Sequence, residues 1–326
     1  MIQLIVLTLF ITGLWLVAAS GLNHPPALIL VDGFSSYLSG YCKPYCEKRG
    51  IRIRDVVSPY LCRIFRNQGR NVPKHLRAPR PGGEVAWAIE NEFFGEAREN
   101  SVVVISESES GTTTAERLQV ALNLVGNGGS PQLRNKYLSN EKAQQAGLPV
   151  VKQALASSWS QAEQFLDTLW DRKEAKGTQV ATKCVLKPYR GVASDGVYCC
   201  STLDEAKAAF EQILGTPQYG GGTNDAVLVQ EFAEGSEYAV DTVAKDGDIK
   251  VIAVWRYDKF AANGAPFVYQ CTRLVSSDEE DVAVVSDYCV KVLKAQGMRW
   301  GATHTEIKLT PTGPRLMEIN ARWHAQ

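Results

Sequence analysis

The sequence predicts an α/β domain with a parallel sheet, followed by an α+β region built on antiparallel sheets. Three observations predict it. Two short apolar runs, "ALILVDG" (Ala27 to Gly33) and "SVVVISESESG" (Ser101 to Gly111), each end in a polar loop. That is the form of buried parallel strands, whose carboxyl ends carry ligands. Downstream, three stretches open on a helix-capping signal and continue with apolar residues at helical spacing. Strand-like runs lie between and after them, turned tightly at Asp246-Gly247 and at Pro311-Thr312-Gly313.

In chain order, Ile2 to Ala19 comes first, a run of eighteen residues without a charge. It reads as a secretory signal, with small residues at Ala18 and Ser20, or as a membrane anchor, and in third place as a buried helix. The expected division is 1–22 for this segment, 23–130 for the parallel-sheet domain and 131–326 for the α+β region. No Gly-x-Gly-x-x-Gly follows either early strand, so dinucleotide binding is not expected. Ser160 to Glu163, Thr202 to Glu205 and Ser277 to Glu280 are the three capping boxes, and Gly297 should stop the third helix. "CVLKPY", "AVLVQEF" and the hairpin "EYAVDTVAKDGDIKVIAVW" are the intervening strands.

The 326 residues carry 35 basic and 35 acidic side chains, a balance without the basic excess that nucleic acid requires. Eight cysteines are scattered and have no zinc-type spacing, so they read as free, mostly buried thiols.

Four features could carry chemistry. Lys187 sits in an apolar strand, where an ammonium is costly without an anion. The Gly-bracketed stretch Arg190 to Val197 follows directly and could present backbone amides to a phosphate. "LVQEFAEGSEY" (Leu228 to Tyr238) leaves a strand into an acidic turn, offering backbone groups to a planar base and a carboxylate to sugar hydroxyls. The last is the terminal hairpin. With its turn centred on Thr312, Glu306 faces Glu318 and His304 faces Asn320, with Arg322 on the same face. Facing like charges are unfavourable. Two carboxylates and an amide oxygen are, however, a partial shell for a hard divalent cation.

As a set, "NKYL" at Asn135, "VLKP" at Val185, "VQEF" at Val229, "GATHTEIKL" at Gly301 and "LMEINAR" at Leu316 resemble the ATP-grasp superfamily, and within it carboxylate-amine ligases such as the L-amino acid ligases. The resemblance covers Asn127 to Arg322. It implies an α/β pre-ATP-grasp domain and an α+β ATP-grasp fold with lobes at 131–232 and 233–326. Lys136 and Lys187 would contact ATP phosphates, with Gly191, Ser194 and Gly196 in the loop that closes over them. Gln230, Glu231 and Phe232 would hold adenine through backbone groups, and Glu237, with Glu234 as the alternative, would take the ribose. Glu306, Glu318 and Asn320 would carry Mg2+, or Mn2+ in its place, and Arg322 would stabilise the transferred phosphoryl group. Lys187 and His304 complete the candidate catalytic set.

The implied reaction joins a small-molecule carboxylate to an amine, amino acids among the candidates, through an acyl phosphate. A non-catalytic ATP-binding protein of this fold, and a ligase of purine-biosynthesis or carboxylase type, are the alternatives. The chain reads "WHAQ" after "INAR" and ends, which suggests a truncated carboxyl terminus. Residues 2–19 imply membrane association with a cytosol-facing enzyme, or an organelle or secretory destination; without a targeting role for them the chain would be cytoplasmic. A homodimer is compatible with the resemblance.

Overall fold

The fully apolar run Ala27 to Val31 becomes the centre of a parallel sheet in the computed structural model, which describes residues 26–35, 38–93, 102–170, 183–191, 194–218, 222–262 and 265–322. The sheet order is β2 (Arg52–Val56), β1 (Ala27–Val31), β3 (Val102–Ser106), with β1 parallel to both neighbours. Every residue of β1 is buried, which is why it reads as a continuous apolar stretch rather than an alternation. Helices α1 (Lys43–Glu47), α2 (Pro59–Asn67), α3 (Glu84–Glu90) and α4 (Glu109–Ala121) accompany this sheet.

A second sheet is antiparallel, in the order β4 (Gln153–Ala156), β7 (Val227–Glu231), β5 (Cys184–Lys187), β6 (Tyr198–Cys200). One face packs Ala156, Cys184, Leu186, Val227 and Val229 against α6 (Trp159–Leu169) and α7 (Leu203–Ile213). The third sheet runs β10 (Ala265–Leu274), β9 (Asp248–Ala262), β8 (Ser236–Lys245), β11 (Gly301–Thr310), β12 (Gly313–Asn320), all antiparallel. Tyr238, Val240, Ile307, Leu316 and Ile319 on its covered face pack with Val285, Cys289 and Val292 of α8 (Glu280–Gln296). Helix α5 (Lys136–Gln145) joins the same core through Ala143.

Several sequence expectations shift by a residue or two. Helix α6 starts at Trp159 after Ser158, so Ser160 lies inside its first turn rather than capping it. Gln161 instead reaches back to accept from Ser157 N at 2.8 Å. Helix α8 begins after Glu279, not Ser277, because Ser276 and Asp278 bond each other in the preceding turn. At α7 the reading holds: Thr202 accepts from Glu205 N at 3.2 Å. Gly297 ends α8 in the left-handed conformation, and Asp246 and Gly247, both at positive φ, turn the β8–β9 hairpin. All eight cysteines are free thiols. The apolar run at residues 2–19 lies outside the described residues, among which no helix is long and apolar enough to cross a membrane.

Candidate functional site

The uncovered faces of the two antiparallel sheets enclose an open cleft lined by residues of both. Lys136, Lys187, Gly191, Ser194, Gln230, Glu231, Phe232, Glu237, Glu306 and Glu318 all line it. Gly196, His304, Asn320 and Arg322 are not among its lining residues, the last three lying on or beyond the same strands.

The terminal hairpin builds the acidic end. Glu306 is directly opposite Glu318, and His304 opposite Asn320. Near the tip, Thr310 pairs with Gly313 across a two-residue turn, one shorter than the expected three. The register recovers at a β-bulge, where Leu316 faces Ile307 while Glu318 faces Glu306, leaving Met317 extra. Met317 and Glu318 both line the cleft, while Leu316 and Ile319 stay in the core. Burial, then Glu318 and Glu237, push the Glu306 carboxyl above its ordinary value, with Lys259 opposing.

Two lysines meet these carboxylates. Asn135 caps α5 by accepting from Tyr137 N and Leu138 N, which fixes Lys136 in the first turn. Its Nζ donates to Glu318 Oε1 and to the Gly191 carbonyl, both at 2.9 Å. Lys187, the last residue of β5, makes no hydrogen bond or ion pair among the described residues. Burial and the neighbouring Lys136 push its pKa down to about 8, against the pull of Glu318, Glu306 and Glu237. A buried ammonium without a partner is the situation an incoming anion relieves. After Lys187 the chain turns through Ser194 and Gly196, both at positive φ.

At the other end, two backbone donors expected to be available are already used. Glu231 N donates to Lys152 O at 3.0 Å and Phe232 N to Lys183 O at 3.2 Å. Gln230 donates from its side chain to Gln153 Oε1, and Glu231 Oε1 accepts from Lys152 N. The cleft donor left at this strand exit is Ala233 N, which has no partner among the described residues.

Lys259, Lys308 and Tyr269 also line the cleft and were not singled out in the sequence. Glu237 is ion-paired with Lys259 and lies 3.7 Å from Lys308. Burial opposes the Lys259 charge, but Glu237 and Glu306 hold its pKa above the ordinary value. Lys259 also sits over the Tyr269 ring, 4.4 Å from its centroid. Lys308 could have been found, since it is two residues from Glu306 on the same strand face. Lys259 and Tyr269 belong to neighbouring strands, and no local pattern links them to the hairpin. His304 is 3 % exposed and held between Asp241, at 2.8 Å from Nδ1, and Tyr257, whose hydroxyl is 2.9 Å from Nε2. Asp241 also accepts from Trp255 Nε1 at 2.6 Å. Arg322 Nε lies 3.4 Å from Glu109 Oε2 on α4, so the parallel-sheet region reaches the acidic end of the cleft.

The donors at Glu306, Glu318 and Asn320 are all oxygens, which suits Mg2+ or Mn2+. The Lys136 ammonium on Glu318 shows that the position accepts a cation. Among the described residues no group of three or more His, Cys, Asp or Glu side chains is arranged for a metal, so the protein offers only part of a shell.

Residues 180–326 match the family model for the ATP-grasp domain. Dapdiamide A synthase of Enterobacter agglomerans is 32 % identical over 222 residues, 67 % of this chain and 50 % of that protein. Carnosine synthase 1 of Gallus gallus is 33 % identical over 107 residues, 32 % of this chain and 11 % of that protein. The chain thus spans half or less of these curated relatives. Among solved structures, an L-amino acid ligase from Bacillus licheniformis superposes with a TM-score of 0.63 at 17 % identity, covering 92 % of this chain and 68 % of that one. A phosphoribosylglycinamide synthetase from Anaerococcus prevotii does so with a TM-score of 0.59 at 15 % identity, over 92 % and 68 %. At such identities the likeness establishes the fold. With two lysines, a glycine-containing loop and an acidic hairpin around one cleft, and a family match over its second half, the chain is a member of the ATP-grasp superfamily.

Proposed function

We propose that the protein is an ATP-dependent ligase that joins a carboxylate to an amine through an acyl phosphate, forming an amide or peptide bond. The observation that carries this reading is the unpaired, buried Lys187 ammonium facing the Glu306–Glu318 pair across the cleft. Cations poised for phosphate and oxygens poised for a divalent metal line the same cleft, with Lys136 already on Glu318. The relatives named as amide-forming synthases and ligases support it.

In this reading ATP enters with its base at Ala233 N and the Glu231 carbonyl, over Phe232 and Met317, and its ribose toward Glu237. Lys136 and Lys187 hold the phosphates, and the loop through Gly191, Ser194 and Gly196 covers them. Glu306, Glu318 and Asn320 would hold Mg2+ or Mn2+, which supplies charge neutralisation of the phosphates when bound. Lys136 then transfers its ammonium from Glu318 to phosphate. A substrate carboxylate attacks the γ-phosphorus, the bond to the ADP oxygen breaks, and Arg322 steadies the charge of the acyl phosphate. An amine displaces phosphate. Positioning and electrostatics do the work, so no nucleophilic side chain is required. His304, held by Asp241 and Tyr257, orients the Glu306 strand.

We further take residues 23–130 as a pre-ATP-grasp domain and 131–326 as the ATP-grasp unit. Residues 2–19, a run without a charge, act in this reading as a signal or anchor, and the protein forms a homodimer. Phosphate release from ATP and Mg2+, with and without mixtures of L-amino acids and short carboxylic acids, tests the reaction. Release that depends on both a carboxylate and an amine supports it. Nucleotide binding without carboxylate-dependent release favours a non-catalytic ATP-binding role.

A further inference from the structure

Glu109 stands where the two halves of the chain meet. It occupies the first turn of α4, at the carboxyl end of β3, the edge of a parallel sheet where ligands gather. Its loop is braced from several directions. Asp32, itself at positive φ, accepts from Ser58 N and from the Ser110 hydroxyl, each at 2.7 Å. Ser108 and Ser110 hydroxyls lie 2.7 Å apart. A Cβ on Gly111 would come within 2.4 Å of Ser106 Oγ and 2.9 Å of Val31 Cγ1, so the backbone is pressed against the sheet. The carboxylate is therefore carried by a preorganised loop.

The carboxylate's own contact is a long one. Two turns further along α4, Arg134 grips Glu116 with two donors, at 3.2 and 2.5 Å, and Thr113 with a third contact. That pair is a structural clasp. Glu109 has only the 3.4 Å approach of Arg322, and its Oε2, although buried, makes no hydrogen bond. Burial pushes the Glu109 carboxyl up, and Arg322 is the strongest influence pulling it back. In the proposed reaction Arg322 turns to the acyl phosphate, and Glu306 and Glu318 would be engaged in holding the metal. Glu109 is then a buried carboxylate beside the reaction centre with its ion-pair partner drawn away and only the more distant Lys136 and Arg134 to offset it, a costly state unless another cation arrives.

We infer that Glu109 recognises the ammonium form of the incoming amine, and so makes the parallel-sheet region the source of amine selection. This rests on the ligase reading above. The amine substrate class is accordingly a primary ammonium, which replaces Arg322 at the Glu109 carboxylate as Arg322 turns to the acyl phosphate; it gives one proton to that carboxylate, and the free amine then forms the bond to the acyl carbon as the bond to phosphate breaks. An uncharged nucleophile needs no such contact.

The test is a competition in one vessel: full-length protein, ATP, Mg2+, an equimolar mixture of the L-amino acids with short dicarboxylic acids, and hydroxylamine, which is largely uncharged at mildly alkaline pH. Amides and hydroxamates arise from the same acyl phosphate, so their ratio, read by mass spectrometry, cancels any change in phosphoryl transfer. Glu109→Gln should lower the amide-to-hydroxamate ratio about tenfold or more, the scale of one charged hydrogen bond. Glu109→Asp, which keeps the charge on a shorter arm, should restore part of it and covers the case in which the amide variant folds poorly. An unchanged ratio in both variants overturns the assignment alone, whether or not total turnover falls. Wild-type protein that forms neither product overturns the ligase reading itself.

Discussion

Replacing Glu318 by glutamine separates the structural from the functional role of the facing carboxylates. In the absence of ligand two terms oppose each other. Lys136 keeps an acceptor on the glutamine amide oxygen at 2.9 Å but loses a charged one, a loss of about 1 kcal/mol, the difference between a charged and a neutral hydrogen bond. The repulsion with Glu306 directly across the strand pair is relieved, a gain of about 0.2–1 kcal/mol. The net change in the free protein should lie within about 1 kcal/mol of zero. With Mg2+ and a nonhydrolysable ATP analogue the balance changes, because the variant has one carboxylate fewer for the metal. At a ligand concentration about 100 times the wild-type Kd, binding stabilises the native state by about 2.7 kcal/mol. A tenfold weaker complex loses about 1.4 kcal/mol of that. Thermal melts of both proteins, with and without Mg2+ and the analogue, give the comparison. Equal Mg2+-dependent stabilisation in wild type and variant would refute the metal role of the pair.

Three further outcomes are expected. Lys187 has its pKa lowered to about 8, so nucleotide affinity of the wild type should fall as pH rises through that value, because the ammonium is lost; Lys187→Met should bind weakly and show no such pH dependence in calorimetric titrations. The sign for stability is opposite: the folded state carries fewer protons on Lys187 than the unfolded chain, so its contribution to the free protein should improve as pH rises from about 8 towards the ordinary lysine value of 10.5. Gly235 has φ of +150°, and a Cβ there would lie 2.1 Å from the Leu309 carbonyl oxygen, so Gly235→Ala should cost about 2 kcal/mol or more and lower the urea midpoint of the antiparallel half. Tyr257→Phe removes the hydroxyl on His304 Nε2 and should destabilise by about 1–2 kcal/mol in denaturant titrations, with phosphate release falling as the Glu306 strand loosens.

The acidic hairpin was legible because polar residues at every second position mark one strand face, and that pattern survives errors at the turn. Here the survival was partly a cancellation. The turn is one residue shorter than expected, and the extra Met317 restores the phase, so Glu306 still meets Glu318. Lys187 was legible for a different reason, a charge in an otherwise apolar strand. The helix starts at Ser158 and Glu279 were misplaced because serine followed by glutamate at the right spacing also occurs inside a first turn, as at Ser160, or in the turn before the cap, as at Ser277. Glu109 and Lys259 could not be read. Each reaches the site through sheet order and docking, and neither has a sequence neighbour that announces it.

The Met317 bulge has a consequence for how such a site can diversify. An inserted residue sits in the cleft floor, yet the ladder on either side of it is anchored by Leu316 and Ile319 in the core. Floor and carboxylate are thereby mechanically independent. Side chains of different size at position 317 can deepen or fill the cavity beneath a bound base while Glu318 stays in place. Ligand selectivity and phosphoryl chemistry, adjacent in the chain, can vary separately.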